Sequence, residues 1–165
     1  MIRPYLALSA RIEKELSELA QVVARCLDIW QQADATGDDR YVDGVALNLH
    51  AFYTGLERIL ELVAEEIDQT KPGGAAWHQE LLRQAATDIP QVRPAIISDA
   101  TRHSLDRYRG FRHVVRNVYA FDLDKELIAP LIHELPSVFK AAQTDLSRFA
   151  GWLAASADSA AGESV

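Results

Sequence analysis

Apolar residues recur along this chain at steps of three and four, and no stretch of any length alternates at steps of two. Leu8, Ile12, Leu16, Leu19, Val23, Cys26 and Trp30 draw one stripe, which predicts a long helix over residues 5 to 34. Thr36-Gly37-Asp38-Asp39 ends it with turn chemistry. A second stripe, Val45, Leu49, Phe52, Leu56, Ile59, Val63 and Ile67, predicts a helix over 41 to 69. Beside that stripe run the small residues Gly44, Asn48, Ala51 and Gly55. A glycine inside a helix costs about 1 kcal/mol, so a close helix contact is the expected reason for keeping two. The short connection makes the first two helices antiparallel neighbours.

Lys71-Pro72-Gly73-Gly74 breaks the pattern. Trp77 to Thr87 reads as a short helix with Leu81 and Leu82 inward and Trp77 as a lid on the core. His78 beside it reads as an exposed or capping histidine, with a contact to a functional site as the alternative. Pro90 and Pro94 bracket a non-helical connection, and Ser98-Asp99 is an N-cap for a helix over 99 to 121. Asp122-Leu123-Asp124 ends that helix, and Asp124 is placed to cap the next. The last stripe, over 125 to 155, is Leu127, Leu131, Leu135, Val138, Ala142, Leu146, Phe149 and Leu153. Pro130 falls near the helix start, where it is tolerated; Pro136 is expected to kink or divide the helix. From Ser156 the chain turns small and polar, and a disordered tail over 156–165 is expected. The fold class is all-α: an up-down bundle of four main helices plus a short one, forming one domain over 5–155.

Composition narrows the function classes. The chain has 165 residues, 48% of them apolar, enough for one domain with its own core. Cys26 is the only cysteine, so no intrachain disulfide forms; it reads as a small buried hydrophobe and fits a reducing cytoplasm. Charged residues return at Arg11, Glu13 and Lys14, so no signal peptide is expected. No apolar run approaches the ~18 residues of a membrane span, and a cytoplasmic protein without membrane attachment is expected. There is no Cys/His pair with zinc spacing and no glycine-rich phosphate loop, so neither metal nor cofactor is expected.

Charge then singles out one stretch. The chain carries a net −7, yet Arg107, Arg109, Arg112 and Arg116 stand with His113 within ten residues. On a helix, Phe111, Val114, Val115 and Val118 fall on one side, and Arg102, Arg109, His113 and Arg116 on the other; Arg112 and Tyr119 share an edge. Such a stripe is either a solvated arginine face paired with acids on a neighbouring helix, or a site for an anion. On the second helix His50, Tyr53 and Glu57 follow at i, i+3 and i+7. His50 reads as a hydrogen-bonded histidine at a helix seam, or as part of a stripe beside the Arg112 helix in which Glu57 holds an arginine.

Phe111-Arg112, four spacers, residue 117, then Tyr119 and Asp122-Leu123-Asp124, resembles the Phe-Arg-x4-His-x-Tyr signature of HepT-like toxins of the HEPN superfamily, with Asn117 in the histidine position. The segments His50 to Ile59 and Pro72-Gly73…Trp77-His78…Leu81-Leu82 also resemble that family, so the likeness runs over about 5 to 155. Arg107-x5-His113 is a second, looser register. The resemblance implies an all-helical, metal-independent ribonuclease toxin of a type VII-like toxin–antitoxin pair, acting on RNA. Arg112 would clamp phosphate and position 117 would act as acid or base, with Tyr119 in the motif. Arg109, His113 and Arg116 would contact substrate, and His50, Tyr53 and Glu57 would support the site. It also implies a homodimer: residues five apart on a helix point about 140° away from each other, so two chains across a two-fold axis would complete one cleft. The partner implied is a small nucleotidyltransferase antitoxin that adds AMP to Tyr119. Asn117 departs from the pattern, because an amide has no proton that titrates near neutral pH. It leaves open a weakened enzyme, a substitute in His113, an engineered change, or a silent nucleotide- or RNA-binding adaptor for the nucleotidyltransferase.

Overall fold

The computed structural model describes residues 2–119 and 122–162, with the side chains of 4–119, 122–160 and 162. Helix α1 spans Ile2–Thr36 and α2 spans Arg40–Val63, the latter running on into one π-helical turn, Ala64–Asp68. The short α3 is Trp77–Ala85, α4 is Asp99–Asn117, and α5 is Lys125–Gly162. Among the described residues no strand forms; one isolated antiparallel bridge joins Ile89 to Arg93. The all-α bundle of four long helices and a short one is therefore the observed architecture.

The first two stripes are buried as the periodicity requires, from Leu8 to Trp30 on α1 and from Val45 to Ile67 on α2 and its π turn. Ion pairs Arg11–Glu66 and Arg58–Glu15 bind α1 to α2 in antiparallel register. The glycines of α2 face α1 closely. A Cβ on Gly44 would meet Ile29 at 3.3 Å, and one on Gly55 would meet Leu19 at 2.6 Å. Gly55→Ala should therefore destabilise by about 1–3 kcal/mol through overpacking, read as a lower urea midpoint at unchanged slope; a stability within error of the parent would mean that Leu19 gives way freely.

α5 lies antiparallel along α1, joined by Ser9 Oγ donating to the Ala150 carbonyl (2.9 Å) and by Lys125–Asp34 (2.9 Å). Three expectations change here. Of the two outcomes expected at Pro136, a kink or a division, division does not occur: α5 continues through both prolines as one helix. The helix also runs on through Gly162, into the segment expected to be a tail; residues 163–165 lie outside the described residues. Leu127 is 48% exposed, and its neighbour Ile128 takes the core position.

α4 departs most from its sequence pattern. Its buried face is Thr101, Leu105, Tyr108 and Phe111; of the apolar side read from the sequence, Phe111 is buried and Val115 half-buried against the core, whereas Val114 and Val118 are exposed. Polar anchors set this rotation. Tyr108 Oη donates to the Leu131 carbonyl of α5 at 2.7 Å. Asp145 of α5, itself buried, accepts from Ser98 N (2.9 Å) and Thr101 Oγ1 (2.7 Å). Ser98 caps α4 as expected, its hydroxyl accepting from Thr101 N. Asp124 caps α5 through Glu126 N, 2.8 Å away.

The helix also ends early, at Asn117 rather than 121. Asn117 Nδ2 donates to the His113 carbonyl (2.6 Å), Val118 turns extended, and Asp122 N donates to the Tyr119 carbonyl (2.9 Å). A side-chain amide that bonds the backbone four residues back competes with helix continuation. Phe121, the last residue of the expected helix, lies outside the described residues.

Candidate active site: an arginine cleft closed by α3

The site is built from α2, α3 and α4 around one buried carboxylate. Glu57, 3% exposed on α2, accepts from Arg112 Nη1 of α4 on Oε1, and its Oε2 lies 2.7 Å from His78 Nδ1 of α3. The arginine expected to sit on Glu57 is thus Arg112. Its side chain is 16% exposed, and Nε is buried with no hydrogen-bond partner among the described residues. Tyr53, one turn before Glu57, is buried. Burial, and after it the Glu57 charge, pushes the Tyr53 phenol far above its ordinary value, so it stays protonated. His50 is half-buried on the same face. Burial and then the positive charges of Arg112 and Arg116 push its imidazole below the ordinary range, keeping it neutral near pH 7.

α3 brings His78, its second residue, to this carboxylate. The Trp77 and His78 rings stack at 3.6 Å between centroids, and Lys71 Nζ stands 5.5 Å from the Trp77 centroid. Between α3 and α4 opens a cleft of about 360 Å³ lined by Ala75, Ala76, His78, Gln79, Arg109, Arg112, His113 and Arg116. Arg109 is drawn toward Asp106 (2.6 Å), whereas Arg116 has no ion pair among the described residues. Arg107, on the far side of α4, pairs with Glu134 of α5 and takes no part.

The cleft gathers Arg109, Arg112, His113 and Arg116; Glu57 bonds Arg112 from outside its lining, and Tyr53 and His50 lie close enough to feel the charges of these arginines. Asn117 and Tyr119 do not line it. Asn117 is exposed with its amide turned back onto the helix, and Tyr119 follows the helix end, 74% exposed. His78 is the residue that sequence reading undervalued: Trp77-His78 was visible as a feature, but periodicity says nothing of which way a nine-residue helix after a glycine turn will face.

The model of a family described as HepT-like protein matches residues 44–153, well over half the chain, from within α2 to near the end of α5. The chain belongs to the HepT-like family. The match includes every residue of the cleft and leaves out the whole of α1. No curated protein and no solved structure matches the chain. Among the described residues no group of His, Cys, Asp or Glu is placed to hold a metal ion, and no helix is long and apolar enough to cross a membrane.

Proposed function

We propose that this HepT-like protein is a ribonuclease toxin that binds an RNA phosphodiester in the arginine cleft and cleaves it without metal. The observation that carries the reading is the cleft itself: three arginines and two histidines around about 360 Å³, in a chain of net charge −7. Guanidinium groups fork onto phosphate and stay charged, which suits a pentacoordinate phosphorane whose oxygens gain charge. Arg116, without an ion pair among the described residues, is available to the first phosphate that enters. Arg112 is held ready by Glu57.

A homodimer and a nucleotidyltransferase antitoxin belong to the same proposal. Val114 and Val118, 37% and 41% exposed one turn apart, give α4 an apolar edge next to its basic face, as an isologous contact with a second copy requires. Tyr119 lies outside the cleft and is largely exposed, as an acceptor of AMP from another protein must be. A phosphodiester there adds negative charge near Arg116 and opposes the binding of RNA.

One observation favours the second reading, a catalytically silent adaptor that binds RNA or nucleotide: the residue in the motif histidine position is an amide bonded to its own helix. The test compares the chain with Asn117→His on RNA without divalent metal, with analysis of the 3′ ends. Cleavage leaving 2′,3′-cyclic phosphates, faster in Asn117→His, is expected. Salt-sensitive RNA binding without cleavage by either protein selects the adaptor.

A further inference from the structure

The structure holds an imidazole already oriented toward the cleft, and it is not the one that the motif leads one to look for. We infer that His78, oriented by Glu57, is the general base for RNA cleavage in this chain; this rests on the ribonuclease reading above. Glu57 Oε2 lies 2.7 Å from Nδ1, and a carboxylate there fixes the tautomer with the proton on Nδ1. That leaves the Nε2 lone pair as the basic nitrogen of a ring that lines the cleft with Arg109, Arg112 and Arg116. The ring is held on a second side by the stacked indole of Trp77. A base oriented by a buried carboxylate, beside a cation for the phosphoryl oxygens, is the arrangement proton abstraction from a hydroxyl needs. The same carboxylate serves both: Glu57 sets Arg112 with one oxygen and His78 with the other, so clamp and base are held in fixed relation within one protomer.

The step balances without a co-reactant. Nε2 of His78 takes the proton of the 2′-hydroxyl, the 2′-oxygen bonds to phosphorus, and the bond from phosphorus to the 5′-oxygen breaks. The departing oxygen takes a proton from solvent water, and the imidazolium later returns its own to solvent. The products are a 2′,3′-cyclic phosphate and a 5′-hydroxyl. The charged and titratable groups facing His78 are Glu57 of α2 and Arg109, Arg112, His113 and Arg116 of α4. Glu57 offsets the imidazolium as it forms, and the arginines meet the charge that grows on phosphate.

The experiment measures cleavage of a single-stranded RNA by the chain and by His78→Asn, with RNA affinity and thermal midpoint alongside. The asparagine amide reaches the place of Nδ1 and keeps the donation to Glu57, so the fold is retained. Expected are cleavage by the parent, a loss of about 100-fold or more in His78→Asn at unchanged RNA affinity, and disappearance of the acid limb of the pH–rate profile. Added imidazole should restore part of the activity of His78→Ala, which a purely structural role would not allow. If the parent cleaves and His78→Asn cleaves equally, His78 is not the base, while the ribonuclease reading stands. Should only Asn117→His cleave, the motif position is indispensable and the inference falls in the same way. If no form cleaves, the ribonuclease reading itself is overturned and this inference with it.

Discussion

Arg112→Ala should abolish RNA cleavage, by at least about 100-fold, and also lower stability by about 3 kcal/mol. Both effects come from one guanidinium. It contributes a cation to the cleft wall, and it neutralises Glu57, which is 3% exposed and has His78 as a further partner. Removing one member of a buried pair leaves a desolvated charge, which costs more than the pair itself contributes. The two consequences separate in the double variant Arg112→Ala/Glu57→Gln. A neutral amide at 57 needs no counter-charge, so the thermal midpoint should recover most of the loss while cleavage stays absent. Recovery of cleavage in the double variant would show that Arg112 acts only by supporting the fold. A single variant as stable as the parent would mean that water reaches Glu57 and solvates it.

Arg93→Ala should be the most destabilising single change outside the apolar core, by about 3–5 kcal/mol. Arg93 and Asp68 form a two-pronged pair at 2.6 and 2.7 Å, with side chains 0% and 2% exposed. The remaining guanidinium hydrogens go to the carbonyls of Gln84, Thr87 and Pro94, each at 3.1 Å. Gln84 in turn donates to Asp68 and to the Thr70 carbonyl. One side chain thereby fastens the π turn after α2, the end of α3 and the 87–96 connection together. Arg93→Lys should recover little, since an ammonium group has no planar fork for the carboxylate. Thermal unfolding of both variants checks this. Because α3 carries His78, any folded Arg93 variant should also lose cleavage, even though Arg93 lies outside the cleft.

The helices were legible because long 3.6-residue stripes such as Leu8 to Trp30 and Val45 to Ile67 leave little choice of fold. The rotation of α4 was not, because the valines 114, 115 and 118 dominate its local pattern. What turns the helix is the Tyr108 hydroxyl on the Leu131 carbonyl and the Asp145 carboxylate under Thr101. Those partners lie 23 and 44 residues away in the chain. The end of α4 was missed for a local reason, the Asn117 amide that bonds its own helix. In the site, Arg109, Arg112, His113 and Arg116 were visible as a charge cluster, and the stripe His50, Tyr53, Glu57 as helical spacing. The place of His78 depends on how residues 69–98 fold back under the Arg93 clasp, which no periodicity encodes.

The antiparallel seam between α1 and α5 joins the two most distant helices of the chain, and this bears on how the protein is made. A nascent chain that has left the ribosome only as far as α4 already carries the α1 stripe from Leu8 to Trp30, but without the helix that covers part of it. Synthesis at about 5–20 residues per second leaves that greasy strip open for seconds while α5 is completed. During that interval α2 is the one long helix already made that covers the stripe, and exposed apolar surface of this kind is what favours aggregation. The cleft, built on α2, α3 and α4, is laid down before the scaffold that locks it is finished.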